Sequence, residues 1–336
     1  MLNANVRKNY TASGNIQAET LIDSVLSEMA DALQSTGLSV YLGGSYGRGE
    51  GGVRQDTENG VLYNDLDFFV FAKKADRSAE KLLHDIAEKY EKQLGVDVDF
   101  SKVTSVKEIK RNAKRLMMQE LKRGYHQVCG EDLLAEYLPE IPAEKLPFSE
   151  ACRLLLNRGM GLLFAQNKIA ENSEDYDFIL RNIYKAVLGS CDAKLIAEGK
   201  YCWSIFGRLE EIQKSDLPEK WKKLYSDAVQ FKSSPHRNMP ENIKELVQEV
   251  RALFQACVLA VSGAEDAKDI KTNISNKCKI SGESSLLNYV KYCIKTRKIH
   301  RDINFLKIPH AAVTLCKLCE KNAYDEELYN DWLKFN

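Results

Sequence analysis

The sequence predicts an α/β (α+β) domain with a small mixed sheet over residues 1–147, followed by an all-helical domain over residues 148–336. Three observations carry this expectation. Helix-period and strand-period apolar patterns alternate from Glu19 to about Val103. Pro139, Pro142 and Pro147 form the densest proline cluster in the chain and read as a linker. Beyond them the apolar residues recur only at helical spacing.

In order, Glu19–Gln34 carries Leu21, Ile22, Val25, Leu26, Met29 and Leu33 on one side, an amphipathic helix stopped at Gly37. A strand, Leu38–Leu42, leads into Gly43-Gly44-Ser45-Tyr46-Gly47-Arg48-Gly49. So bare a backbone bends sharply and can aim several N–H groups at one anion, of which phosphate is the commonest. Ser45 adds a hydroxyl donor and Arg48 a fixed positive charge. After a polar connection comes the strand Asp65–Phe71, then a helix over Asp76–Leu94 with Leu82, Leu83, Ile86 and Tyr90 inward, then the strand Asp97–Phe100. Ser105–Gly124 reads as one basic helix, with seven Lys/Arg against two Glu. In the second half, helices are expected at Phe148–Asn167 (with Ser149 as N-cap), Glu174–Glu198, Tyr201–Lys214, Pro218–Phe231, Pro240–Ser262, Ser284–Lys298, Ala311–Glu320 and Tyr324–Lys334.

The chemistry concentrates in the two acidic strands. Asp65 and Asp67 lie two apart, so in a strand they share one face, with Cβ atoms roughly 6–7 Å apart. Phe69 and Phe71 continue that face, while Leu66, Phe68 and Val70 fill the other. In the next strand Val96, Val98 and Phe100 face the core, and Asp97 and Asp99 share the opposite side. If the two strands pair, the carboxylates meet near the glycine turn and repel. Two Mg²⁺ ions would supply the missing charge and a nucleoside triphosphate the remaining oxygen ligands, an arrangement Mg²⁺ prefers to an all-protein cage.

Leu42-Gly43-Gly44-Ser45, Asp65-Leu66-Asp67 and a following apolar–Asp–apolar strand resemble the polymerase-β-type nucleotidyltransferase superfamily. The resemblance covers Gly37 to Ser101. It implies transfer of a nucleoside monophosphate from a triphosphate, ATP being the expected donor, to a hydroxyl acceptor, with pyrophosphate released. It also implies that Gly44 and Ser45 hold the triphosphate, that Asp65 and Asp67 bind metal (two Mg²⁺, or Mn²⁺), and that Asp99 or Asp97 is the third carboxylate. Val98-Asp99-Phe100 favours Asp99. Between Ser45 and Asp65 the spacing exceeds that of compact members, so residues 49–64 read as an inserted loop or hairpin. In members with a helical second domain, a helix like that bearing Arg181, Tyr184 and Lys185 closes over the nucleotide, which makes Lys185 a candidate nucleotide contact.

The remaining features restrict the alternatives. Lys+Arg and Asp+Glu are both 48, a formal charge of zero that argues against a general nucleic-acid coat; with a helical second domain it suits a small-molecule acceptor, the favoured choice, and a protein side chain or a second nucleotide nearly as well. The basic stretch Lys291, Lys295, Arg297, Lys298 and Arg301, interleaved with Tyr289 and Tyr292, keeps a nucleic-acid end-modifying transferase as a third reading. A non-catalytic nucleotide sensor on the same fold is the second. No apolar run reaches the ~18–20 residues of a membrane span. The N-terminal residues lack a signal-type apolar core, and nine scattered cysteines fit a reduced, cytoplasmic protein. Gly47–Gly52 satisfies G-x-G-x-x-G, but a polar stretch and not a helix follows it. Cys316-x-x-Cys319 has no second pair and reads as two small side chains on a buried helix face.

Overall fold

Asn15 starts the first helix: its side chain accepts the Ala18 N–H at 2.9 Å, and α1 (Ile16–Leu33) buries Ile22, Val25, Met29 and Leu33. The computed structural model describes residues 9–54, 62–74, 79–280, 290, 293–294, 311–320 and 325–333. It divides the chain into two units, one of Met1–Ile141 with Gln230–His236, the other of Pro142–Val229 with Arg237–Asn336. The segment 230–236 returns to the first unit from within the second half of the chain.

The first unit contains a mixed five-stranded sheet. Its strands are β1 (Ser39–Leu42), β2 (Leu66–Ala72), β3 (Val98–Phe100), β4 (Thr104–Ser105) and β5 (His126–Cys129). The order is β3-β2-β1-β5, with β4 also on β2. β1 is antiparallel to β2 and β5, whereas β3 and β4 run parallel to β2. The alternation in β2 sorts its side chains between two cores. Leu66, Phe68 and Val70 join α1 and α3 (Glu80–Leu94) on one face. Phe71, with Phe69 partly buried beside it, packs with Tyr41, Ile109, Met118, Leu121 and Leu134 on the other. Leu83, Ile86 and Tyr90 are buried as expected from α3, but Leu82 points outward and is exposed.

Two strands escape the sequence reading, which closes the sheet near Val103. β4 has only two residues, and β5 is four residues between Gly124 and Gly130, too short for alternation to register. The basic helix expected over Ser105–Gly124 is instead two, α4 (Val106–Asn112) and α5 (Leu116–Arg123). Ser105 and Glu108 form a reciprocal capping box at the start of α4. The break follows from Gln119, fully buried, whose Nε2 donates to the Ala113 carbonyl at 2.7 Å and the Pro139 carbonyl at 2.9 Å, while its Oε1 accepts the Ile141 N–H at 2.9 Å. The side chain thus takes a carbonyl that a continuous helix would have used, and ties the turn to residues 139–141. Gln119→Ala would strand these buried backbone groups, and is expected to cost about 2–3 kcal/mol in urea unfolding.

In the second unit every element among the described residues is helical. α7 (Phe148–Ala170) and α8 (Tyr176–Ala197) pack closely, with Gly161 against the Asn182 side chain. α9 (Ile205–Lys214), α10 (Glu219–Ser233, whose last turn from Gln230 is counted in the first unit) and α11 (Ile243–Ser262) follow, then α12 (Ala267–Ile280), for which the sequence gives no expectation. Its buried Ile270, Ile274 and Cys278 recur only at every fourth position, a stripe too thin to stand out. α7 begins after Pro147, so Ser149 lies inside the first turn and is not the cap. The helices Ala311–Glu320 and Glu326–Leu333 end the described chain. Of the helix expected at Ser284–Lys298, only Val290, Cys293 and Ile294 are described; Tyr289, Lys291, Tyr292, Lys295, Arg297, Lys298 and Arg301 lie outside the described residues.

No single helix among the described residues is long and apolar enough to cross a membrane. One bent pair, Ile243–Ser262 with Ala267–Cys278, reaches that composition only jointly, turning by 42° at its break. Cys316 and Cys319 are free thiols at intermediate exposure on their helix, and burial pushes the Cys319 thiol up to about 12.

Candidate active site

β1 carries the chain to the glycine turn, and its ladder with β2 extends one step further, the Gly43 N–H donating to the Asp67 carbonyl at 2.8 Å. Two close approaches then require glycine. A Cβ on Gly43 would lie 2.6 Å from the Phe69 ring and 2.8 Å from Leu121. Gly44 has φ +60°, and a Cβ there would sit 2.1 Å from Oδ2 of Asp67. The Asp67 carboxylate therefore lies directly over the second glycine of the turn. A one-turn helix, α2 (Gly44–Gly47), follows; Gly43 as its N-cap offers no side-chain acceptor to its opening amides.

β2 and β3 bring the acidic residues together. Their parallel register pairs Leu66 with Val98, Asp67 with Asp99 and Phe68 with Phe100, and the Leu66 N–H donates to the Asp97 carbonyl at 2.9 Å. Paired residues of adjacent strands share a face about 4.8 Å apart. Asp67 and Asp99 thus share the face opposite Leu66, Phe68 and Val98, while Asp65 and Asp97 immediately precede β2 and β3 and lie near enough for their charges to act on Asp99. The register puts Asp99 directly opposite Asp67, a distinction that parity within one strand could not make.

Like charges side by side in a sheet are unfavourable, and Asp99 carries the mark of it. Burial, then the charges of Asp65, Asp97 and Glu91, raise its carboxyl above the ordinary carboxylate value. In the folded chain Asp99 accordingly holds its proton to higher pH than in the unfolded chain. Its ionisation costs stability above that raised pKa, and the cost disappears as pH falls below the ordinary value. Asp99→Asn is expected to raise Tm at pH 8 by on the order of 1–2 °C, and the gain should shrink toward pH 4. Paired thermal melts at the two pH values check this.

Several residues around the turn carried no sequence signal. Burial and then the nearby Asp65 charge raise the Tyr46 phenol to about 12. Its hydroxyl donates to the Gly52 carbonyl at 2.9 Å and accepts the Tyr63 N–H at 3.1 Å. Asn64 Oδ1 accepts the Gly52 N–H at 2.8 Å, and an antiparallel bridge joins Val53 to Leu62. These contacts join the two ends of the segment between the turn and β2, whose residues 55–61 lie outside the described residues. Arg48 sits between two carboxylates, its Nε 3.3 Å from Glu50 and its Nη1 3.5 Å from Glu120. Lys185 is on α8 in the second unit, exposed, one turn after Arg181, which pairs with Asp177 at 3.4 Å.

Carboxylate oxygens brought to neighbouring strands are donors of the kind a hard divalent cation takes. No ready-made cage accompanies it: among the described residues no group of three or more His, Cys, Asp or Glu side chains is gathered to hold a metal ion. No protein family, curated protein or solved structure matches the chain.

Proposed function

We propose that this chain is a Mg²⁺-dependent nucleotidyltransferase of the polymerase-β type, moving a nucleoside monophosphate from a triphosphate, ATP being the favoured donor, to a hydroxyl of a small-molecule acceptor. The observation that carries the reading is the packing of the Asp67 carboxylate on Gly44, with Asp99 opposite Asp67 in register. It sets an anion-repelling carboxylate against an anion-attracting turn, a juxtaposition that a bridging cation reconciles. Asp65 and Asp67 would hold two Mg²⁺ ions, with Asp99, or Asp97, beside the acceptor. A site that Mg²⁺ shares with phosphates needs only one or two carboxylates in place beforehand, so the lack of a preformed cage among the described residues is compatible with it. When bound, the ions would neutralise phosphate charge and acidify the acceptor hydroxyl.

The chain's own groups account for the rest. Gly44 and Ser45 present backbone and hydroxyl donors to the triphosphate without side-chain bulk. Asp99, its carboxyl raised by burial and by neighbouring carboxylates, is a better proton acceptor than a free aspartate and takes the hydroxyl proton. The acceptor oxygen bonds to the α-phosphorus as the bond from that phosphorus to the bridging oxygen breaks, and pyrophosphate leaves. The free state of the nine cysteines supports a reducing, cytoplasmic setting.

A second reading is a nucleotide sensor that binds at the same glycine turn without turnover. One experiment separates them. The chain is incubated with each α-labelled nucleoside triphosphate, Mg²⁺ and a small-molecule extract, with pyrophosphate release followed in parallel. Label in a new product with stoichiometric pyrophosphate supports transfer; calorimetric nucleotide binding without either supports the sensor.

A further inference from the structure

Glu50 is 7 % exposed although it lies in the polar stretch after the glycine turn. Its Oε2 holds two cations at once, Arg48 Nε at 3.3 Å and Lys232 Nζ at 2.8 Å. With Arg48 also reaching Glu120, the charges alternate along a chain, Glu120–Arg48–Glu50–Lys232. The Glu50 N–H donates to the Ser45 carbonyl at 2.9 Å, and the Arg48 N–H reaches the same oxygen at 3.2 Å. Ser45 is thus tied through two backbone bonds to residues whose side chains are fixed by the ion chain. Lys232 stands 182 residues from Glu50 in sequence, in the returning segment 230–236 that belongs to the first unit. Close packing accompanies the pairing, because a Cβ on Gly52 would lie 2.7 Å from the Lys232 carbonyl and 3.2 Å from Pro235.

We infer that Lys232 is a positioning residue, which through Glu50 fixes the conformation of the Gly43–Ser45 turn. Arg48 then serves as a brace in place of a phosphate ligand, since its charge is matched by Glu50 and Glu120. The effect on nucleotide handling rests on the transferase reading of the turn; the effect on the turn itself does not.

The test compares Lys232→Met and Lys232→Arg in the full chain, the second restoring the charge. Hydrogen exchange at the amides of residues 47–50, measured without ligand, is expected to quicken about tenfold in Lys232→Met. Exchange in α11 and α12 should be unchanged, and Lys232→Arg should return the wild-type rates. With ATP and Mg²⁺, Lys232→Met should raise nucleotide KM about tenfold and alter kcat less than about twofold. Uniform exchange changes across the chain, or no rescue by arginine, would assign Lys232 to general stability and overturn the inference. If the wild-type chain neither binds nor turns over nucleotide, the functional reading fails, and the exchange comparison still decides the role of Lys232.

Discussion

Asp67→Asn is expected to lower nucleotidyl transfer by at least about 10³-fold, and Asp65→Asn to do the same, with the fold retained in both. Removing a single preorganised charge-stabilising group from a reaction centre costs about 10²–10³ in rate, and Asp67 has two tasks there. It faces Asp99 across the β2–β3 ladder and lies on Gly44, so it reaches both the acidic face and the glycine turn. The substitution keeps the shape of the side chain and removes one of two like charges in register, so Tm should not fall. A melt and a pyrophosphate-release assay on the same preparations check both halves. Wild-type turnover in both variants would remove the aspartates from the mechanism.

The second large effect belongs to Gly44→Ala. The alanine must hold φ near +60°, which costs about 1–2 kcal/mol, and its methyl must share space with Oδ2 of Asp67. Asp67 will be displaced, and transfer is expected to fall about 10²-fold even though no charge is lost. A double-mutant cycle isolates the contact. In an Asp67→Ala background the methyl has room, so the steric part of the stability loss should vanish while the backbone part remains. A coupling of about 0.5–3 kcal/mol is expected. Strict additivity would mean that the carboxylate does not occupy the place described.

What the residues disclosed beforehand was mostly local. The two-residue period sent Asp65, Asp67, Phe69 and Phe71 to one face and Leu66, Phe68 and Val70 to the other, and the apolar residues of β2 follow that division. The run of glycines announced a close approach, and Gly44 has one. Choosing between Asp97 and Asp99 needed the register of a second strand, which period alone does not supply. Gln119 looked like any polar residue on a basic helix, yet its three hydrogen bonds break that helix through contacts with residues 139–141. Lys232 was one cation among many, and its meaning depends on a buried carboxylate far away in the chain. Where a residue's role is set by neighbours in sequence, pattern is enough; where it is set by a distant partner, no periodicity records it. β5 and α12 fall between these cases, since each has apolar residues too few or too regularly spaced on one line to exceed the background.

The central claim is that divalent cations and a triphosphate meet at the Asp65–Asp67–Asp99 face beside Gly44 and Ser45. Electron paramagnetic resonance of Mn²⁺, titrated into the chain with a non-hydrolysable ATP analogue, tests it most directly. Two bound Mn²⁺ per chain are expected in the presence of the nucleotide. Without the nucleotide binding should be weak, and Asp67→Asn should lose both ions. Mn²⁺ bound no more tightly than by the free nucleotide, or bound equally by Asp67→Asn, would contradict it.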